Sequence, residues 1–570
     1  MNYRAPVEEY AFLLREVIDG RAALSALEDV TLDDITDLLG HAGTLAGEVL
    51  APLNAVGDRV GSNLENGKVA SPPGFVDAYK VFADGGWTSI GAPAALGGGG
   101  LPLVVTSAVS EMWSGANSAF ALCPGLSQGA IAACHAVGDE HIRATYLPPL
   151  ISGRWTGTMN LTEPQAGTDL ASIKTIARPN GDGTWAVTGQ KIFITWGDHD
   201  LTDNIVHLVL ARTPDAPAGS AGLSLFVVPK YLPDSQGEPG TRNSVHTVSL
   251  EHKLGIHASP TCVLDYDQAT GLLLGQQHQG LAAMFIMMNH SRLGIAVQAL
   301  GLADRAAQAA TAYAAQRVQG PVIGYPKLTP INAHPDVRRL LLSMSSAVTG
   351  MRALLVQVSR WLDLAEQGSK PDRELAEFFV PIIKGWFTET SLQITSDAVQ
   401  VHGGMGFIEE TGVAQYYRDA RIMPIYEGTT AIQANDLVGR KLLRNNAITA
   451  LAVLDIITES VAELRDIDHP VAQRVAQRIT AGLDAVRAST ATMLTRTGSP
   501  RDALAAGVPY LLQWGLLAGG WMHARTLRAT LGVADDSETA RRRITEADFY
   551  TAHHLPEVTA LASVIEAGEI

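Results

Sequence analysis

The sequence predicts an α+β fold in which helical regions enclose a small all-β domain. Three observations carry this. The chain has 570 residues, too many for one hydrophobic core, and the length suggests three or four domains. Apolar residues recur at helical spacing over residues 1–155, 279–445 and 450–570. Between them, residues 156–278 break into short β-branched runs with turn residues at their ends. Those boundaries define an N-terminal helical domain with an extension, a central β domain, a C-terminal helical domain and an additional helical one.

In the first region Val7-Tyr10-Ala11-Leu14 and Ile35-Leu38-Leu39 follow the i, i+3, i+4 rule, with a helix stop expected at Gly40. The run Gly97–Gly100 is flanked by Leu96, Leu101 and Pro102 and follows no strand. It reads as a loop and not as a phosphate cradle. TWAVTGQKIFIT, NIVHLVLA, GLSLFVVP, SVHTVSL and TCVLDY then read as strands. Helical spacing returns with Leu281-Met284-Phe285-Met288, where the methionines fit core filling better than a binding surface. QGPVIGYPKLTPINAHP (319–335), with four prolines, must be a loop. The tail is Ala-rich and helical, with a joint at Gly498-Ser499-Pro500. There is no internal repeat.

Composition narrows the function classes. Asp and Glu outnumber Lys and Arg by 58 to 42, a net charge of −16, which disfavours nonspecific binding to nucleic acid or anionic membranes. Cys123, Cys134 and Cys262 have no CxxC spacing and read as reduced, buried residues of a cytoplasmic protein. The first twenty residues are interrupted by Glu8, Glu9, Arg15 and Glu16, so they carry no signal-peptide core. Ala503–Met522 lacks charge over 20 residues, long enough to span a bilayer. It contains Pro509, Gln513 and four glycines, and a buried helix is the expected outcome, with membrane contact the alternative.

Three segments carry chemistry. MNLTEPQAGTDL (159–170) has small and hydroxyl residues that let backbone N–H groups approach a polar ligand, although alone it could be a capped turn. GQKIFITWG (189–197) is a strand whose period of two puts Phe193 and Thr195 on one face, suited to a flat heterocycle or to an ordinary half-buried sheet. The third is QVHGGMGFIEETGVAQYYRDARIMPIYEGTTAIQANDLVGRKLL (400–443).

Together and in this order these segments resemble the acyl-CoA dehydrogenases, whose patterns are TEPxAGSD, a KxxIT strand, DAxQxxGGxGF and IYEGTxxIQ. The resemblance covers roughly residues 40–445. EVLAPLNAVGD, GTMNLTEPQAGTDL, HPDVRR, IQANDLVGRKLL and the helical tail extend it over the whole chain. They are similar to the long subgroup that includes the 3-methylmercaptopropionyl-CoA dehydrogenases. The implied fold has an N-terminal helical domain, a β-barrel-like centre and a four-helix bundle, followed here by the tail.

The implied cofactor is FAD, with no metal. By the resemblance Met159, Leu161, Thr162 and Gly167 meet the flavin, and Thr168 touches cofactor and CoA. Phe193 takes the position of the family's usual Trp against the ring, beside Ile194, and Thr195 lies near N5. Arg317 meets the pyrophosphate, commonly that of a partner subunit. Gln400, Gly403 and Gly404 face the adenosine half, and Thr429 the phosphate side. Asn289, Arg292, Tyr426 and Gly428 are implied at the substrate. The usual RxxFG is shortened to Arg317-Val318-Gln319-Gly320, and His290 reads as a helix histidine rather than a catalyst.

Glu427 is the implied catalytic base. Removing the weakly acidic α-proton of a thioester needs a positioned base and a stabilised oxygen, and burial would raise a carboxylate's pKa toward that task. The Glu427 amide is the implied oxygen donor. The competing role for this residue is an acid favoured at a helix start. The expected product is a trans-2-enoyl-CoA, with electron-transfer flavoprotein as oxidant of the reduced flavin. Alternatives are a medium- to long-chain acyl-CoA dehydrogenase, an acyl-CoA oxidase and, remotely, a DNA-binding flavoprotein, which the lysine-free tail disfavours. The tail would cover the face by which shorter members form tetramers, so a homodimer is expected.

Overall fold

The computed structural model describes residues 3–24, 27, 30–325, 327–533 and 535–568. They form two compact units, each assembled from separate stretches of chain. One comprises Thr44–Leu101 and Ala116–Gly294; the other comprises Met1–Gly43, Pro102–Gly115 and Ile295–Ile570.

The first unit is built on a sheet of β1 (Trp155–Asn160), β2 (Ile176–Pro179), β3 (Trp185–Thr195), β4 (Asn204–Arg212), β5 (Leu223–Pro229), β6 (Val245–Leu250) and β7 (Thr261–Leu274). Its order is β6-β7-β3-β2-β4-β1, and β5 pairs with both β7 and β4. β5 therefore closes a ring β7-β3-β2-β4-β5, which makes the sheet barrel-like. β1 and β2 run parallel to β4; the other pairs are antiparallel.

The apolar runs of β4 and β5 follow from this closure. Val209, Ala211, Phe226 and Val228 join a core with Val187, Ile194, Leu264 and Tyr266. Their neighbours Leu208, Leu210, Leu225 and Val227 join a second core with Ile131, Leu150, Met284 and Met287. Strands buried on both faces lose the alternation of a half-exposed sheet and read as continuous hydrophobic sequence. The two methionines are thus core filling.

The Gly97–Gly100 run is a closed turn. The N–H groups of Gly97, Gly98, Gly99, Gly100 and Leu101 donate to Ala94, Pro93, Ser89, Ala92 and Ile90 carbonyls at 2.9–3.1 Å, so these amides are committed within the loop. The expected stop at Gly40 does not occur. The helix Leu32–Leu45 runs through it and continues by a wider turn into Ala51–Val60, ending at Gly61 with φ +68°. Ala42, Leu45 and Ala46 carry the buried stripe past Gly40, and burial outweighs the low helix propensity of one glycine.

In the second unit the helices Pro335–Glu366 and Lys370–His402 pack together, with Trp361 and Phe379 rings 5.5 Å apart. The segment 319–335 is loop apart from one short turn, Ile331–Ala333, and Pro335, which opens the next helix; its Pro326 lies outside the described residues. The uncharged stretch 503–522 is largely interior. It lies mainly in the helix Gly507–Gly532, whose Trp514, Leu517, Trp521 and Met522 are buried. Its glycines allow close approach: a Cβ at Gly515 would lie 2.2 Å from Trp386 Cγ, and one at Gly519 would lie 2.3 Å from Tyr550 Oη. His523 Nε2 donates to Ser346 O at 2.9 Å, joining this helix to Pro335–Glu366.

Candidate active site

In the first unit the segment after β1 is tied down by a buried ion pair. Lys191 of β3 and Glu163 are almost inaccessible and meet at 2.8 Å. Lys191 Nζ also donates to Leu161 O at 2.9 Å, while Glu163 accepts from Lys174 N, Thr175 N and Thr175 Oγ1. Ile192 N donates to Thr162 O at 2.9 Å. Burial opposes ionisation of Glu163, but the Lys191 charge and these hydrogen bonds outweigh it and hold the carboxyl at about 2. Burial in turn pushes Lys191 down to about 8 against the pull of Glu163. Met159 and Thr162 are half-buried, Leu161 is buried, and Gly167 and Thr168 are exposed on the loop held this way.

β1 is anchored from its other face by a polar chain. Tyr266 Oη donates to Asn160 Oδ1 at 2.9 Å, Asn160 Nδ2 donates to Thr158 Oγ1 at 2.9 Å, and Thr158 Oγ1 lies 2.7 Å from His207 Nδ1. Burial pulls His207 down to about 3, so it is neutral near pH 7. Satisfied polar side chains in a dry interior favour one register.

β3 departs from simple alternation where the sequence predicted a flat strand face. Its register against β7 jumps from Lys191↔Leu264 to Ile194↔Cys262, leaving an extra residue on β3. Phe193 sits in this bulge with φ +59°. A bulge re-aims side chains: Lys191 and Ile194 are both buried, while Phe193 is 59% exposed. Thr195 beside it is half-buried. An accessible ring, a neighbouring hydroxyl and the loop 161–168, which Lys191 and Ile192 of the same strand hold, fit the flat, polar-edged flavin that the resemblance implies.

In the second unit Glu427 lies in the turn between Ala420 and the helix Thr430–Asp436. It is half-buried, with φ +55°, and Gly428 follows with φ +91°. A non-glycine residue in the left-handed region costs about 1–2 kcal/mol and needs surrounding structure to hold it. Lys384, fully buried on Lys370–His402, donates to Met423 O at 2.9 Å and Gly428 O at 2.6 Å. Gln433 Nε2 donates to Glu427 O at 3.2 Å and Gly428 O at 3.3 Å. Thr429 caps the following helix by accepting from Ile432 N, and Tyr426 Oη donates to Gln298 Oε1. Burial, followed by the Glu427 charge, pushes the Tyr426 phenol well up.

Residues expected near the adenosine half gather elsewhere in this unit. Tyr313 stacks on His402 at 4.3 Å, which brings Arg317 and the exposed Gly403–Gly404 turn to one end of their helices. Gln400 is exposed there too. No neighbour lies within 4 Å of a Cβ built on Gly403 or Gly404, so ligand can approach that backbone. His402 and Lys384 are separated by five helical turns, about 27 Å. The unit thus does not bring Arg317, Gln400, Gly403 and Gly404 together with Glu427. On the helix Gly280–Gln316, Asn289 is exposed, Arg292 is buried and His290 is half-buried, its pKa lowered by burial.

Sequence reading missed Glu163, Lys191, Lys384 and Gln433 as organising residues, although all but Lys384 stand inside the quoted motifs. A signal existed for Lys384, the one charge in the apolar run Phe378–Phe387. A lysine in such a stripe needs buried acceptors.

The chain matches four family models: Acyl-CoA dehydrogenase, N-terminal domain over 65–154, middle domain over 158–269 and C-terminal domain over 278–442, and Acetyl-CoA dehydrogenase C-terminal like over 453–569. It is 48% identical to 3-methylmercaptopropionyl-CoA dehydrogenase of Ruegeria pomeroyi, over 98% of this chain and 97% of that one. It is 33% identical to the broad-specificity linear acyl-CoA dehydrogenase FadE5 of Mycobacterium tuberculosis, over 99% and 97%. Its fold is like that of an acyl-CoA dehydrogenase complexed with FAD from Bacillus anthracis, with TM-score 0.77 at 22% identity, over 98% and 92%.

Proposed function

Because the chain belongs to the acyl-CoA dehydrogenase family, an FAD-dependent oxidoreductase family acting on acyl-CoA, we propose that Glu427 is its catalytic base. We further propose 3-methylmercaptopropionyl-CoA as its substrate. The observation that carries the first reading is Glu427 itself, a carboxylate held in a strained conformation by two buried side chains. Backbone strain that the surroundings hold in place clusters at active sites.

Glu427 takes the α-proton of the thioester, and its own N–H hydrogen-bonds the thioester oxygen as negative charge gathers there. Bound FAD supplies the acceptor for the hydride that leaves the β-carbon. Phe193, Thr195, Met159, Leu161, Thr162, Gly167 and Ile194 would hold the flavin, and Thr168 would serve both cofactor and CoA. The family motifs assign substrate contacts to Asn289, Arg292, Tyr426 and Gly428. The product is the trans-2-enoyl-CoA, and electron-transfer flavoprotein collects the electrons.

Glu427→Gln should keep FAD and slow flavin reduction by about 10²–10⁴-fold, the range for a lost general base. A mutant that bleaches its flavin at the wild-type rate sinks the assignment. For the substrate, anaerobic bleaching is compared across acyl-CoAs. The thioether reading expects the highest rate constant over Kd for the short methylthio thioester. A maximum at medium or long straight chains favours instead a fatty acyl-CoA dehydrogenase; the likeness to FadE5, named for broad specificity toward linear acyl-CoAs, motivates that comparison. Peroxide formation without an added acceptor would instead identify an oxidase.

Arg317, Gln400, Gly403 and Gly404 serve, in this reading, the FAD of a second copy, and Thr429 the phosphate side. The helical span of about 27 Å between His402, next to Gly403, and Lys384 of the Glu427 clamp supports that for the first four. That requires at least two copies, and a tail that covers the face by which shorter members form tetramers favours a homodimer; light scattering that finds a monomer or tetramer overturns it. The setting is cytoplasmic acyl-CoA metabolism, consistent with three buried free cysteines; recovery in a membrane or periplasmic fraction would refute it.

A further inference from the structure

We propose that Lys384 and Gln433 are positioning residues that set the aim of the Glu427 carboxylate. The inference rests on Glu427 as base. Both side chains are fully buried, and both converge on carbonyls around this one residue. Lys384 Nζ bridges Met423 O and Gly428 O, on either side of Glu427. Gln433 Nε2 holds Glu427 O and meets Lys384 at the shared acceptor, Gly428 O. Two carbonyl acceptors fix the amide orientation of Gln433, since its oxygen would be repelled there.

Closing the turn does not require them. Thr430 N already donates to Pro424 O and Gln433 N to Thr429 O, and Thr429 Oγ1 supplies the helix cap. The Lys384–Gln433 clamp instead acts on the peptides that flank Glu427. Two successive left-handed residues, at φ +55° and +91°, turn the Cα–Cβ direction of Glu427. With the flanking carbonyls released, the backbone can relax to the right-handed region, which carries the carboxylate away. A displaced base lowers the rate of proton removal far more than substrate affinity.

The test isolates proton removal. (Methylthio)acetyl-CoA has α-hydrogens but sulfur in place of the β-carbon, so holoenzyme can exchange its α-protons with D2O without transferring hydride. Lys384→Met and Gln433→Met are expected to slow exchange about 10- to 100-fold, with FAD content and the Kd of the thioester within about twofold of wild type. Glu427→Gln is run beside them. Wild-type exchange in Glu427→Gln would overturn the base assignment and this inference with it. Loss there with wild-type exchange in a clamp variant overturns the positioning role alone, as does slowing only in proportion to lost FAD. If Lys384→Met yields no soluble protein, Gln433→Met decides.

Discussion

The loop after β1 and the turn around Glu427 are held by the same device, a fully buried lysine donating to loop carbonyls. Each lies beside a non-glycine residue in the left-handed region, Phe193 at φ +59° and Glu427 at φ +55°. Lys191 divides its bonds between Leu161 O and the Glu163 carboxylate, whereas Lys384 holds Met423 O and Gly428 O. The strain also has different sources. Phe193 is set by a register jump within paired strands, so the ladder holds it. Glu427 stands in a turn, where side chains must do the holding. In the proposed roles, a surface for a rigid cofactor is built from sheet, while a base that must reach a proton takes its aim from side chains.

The largest effect that tests this comparison is loss of Lys191. Lys191→Met leaves Glu163 buried without its cation and should cost about 3–5 kcal/mol, read by denaturant unfolding, with loss of FAD. Glu163→Gln added to it should recover part of that cost, because the buried charge is gone. If Lys191→Met is neutral, the ion pair is not what holds this loop. The pair also sets an acid limit. The Glu163 carboxyl sits at about 2 when folded, below its ordinary 4.5. Its contribution is complete above pH 4.5 and fades as pH falls toward 2.

Glycine separates the two sources of strain. Phe193→Gly and Glu427→Gly each remove a left-handed side chain, and stability should rise by up to about 1 kcal/mol at Glu427. At Phe193 the gain should be smaller, since the ring is exposed and the ladder persists. Thermal melts of the FAD-free proteins check this, and equal shifts would erase the distinction.

A further contrast comes from Asp363, a buried carboxylate that holds donors instead of acceptors. It accepts from Leu103 N and Val104 N, and burial pushes it up to about 7 despite those bonds. The raised value makes its contribution complete below pH 3.8 and lost as pH rises through 7. Asp363→Asn should flatten that slope, and an unchanged stability profile between pH 4 and 7 would refute it.

Much of this was legible in one dimension. The helical and strand periods, the burial of 503–522 and the closed glycine loop follow from local sterics and from which faces avoid water, while the family motifs were legible by resemblance alone. β1 and β2 were not legible. Thr156, Thr158 and Asn160 make β1 look polar, and they are tolerated inside only because His199, His207 and Tyr266 meet them there. The helix through Gly40 was misread because a single glycine is a weak stop when the buried stripe continues.

By itself the sequence determined the alternation of helical and β regions, the resemblance to the acyl-CoA dehydrogenase family and Glu427 as the candidate base, since these lie in contiguous strings. Tertiary structure decided the bulge under Phe193, the Lys191–Glu163 tie and the Lys384–Gln433 clamp. Burying a lysine is tolerable only where acceptors converge on it, and here those acceptors come from distant parts of the chain. Local sequence encodes a residue's preference for water, and the fold supplies what meets it once water is gone.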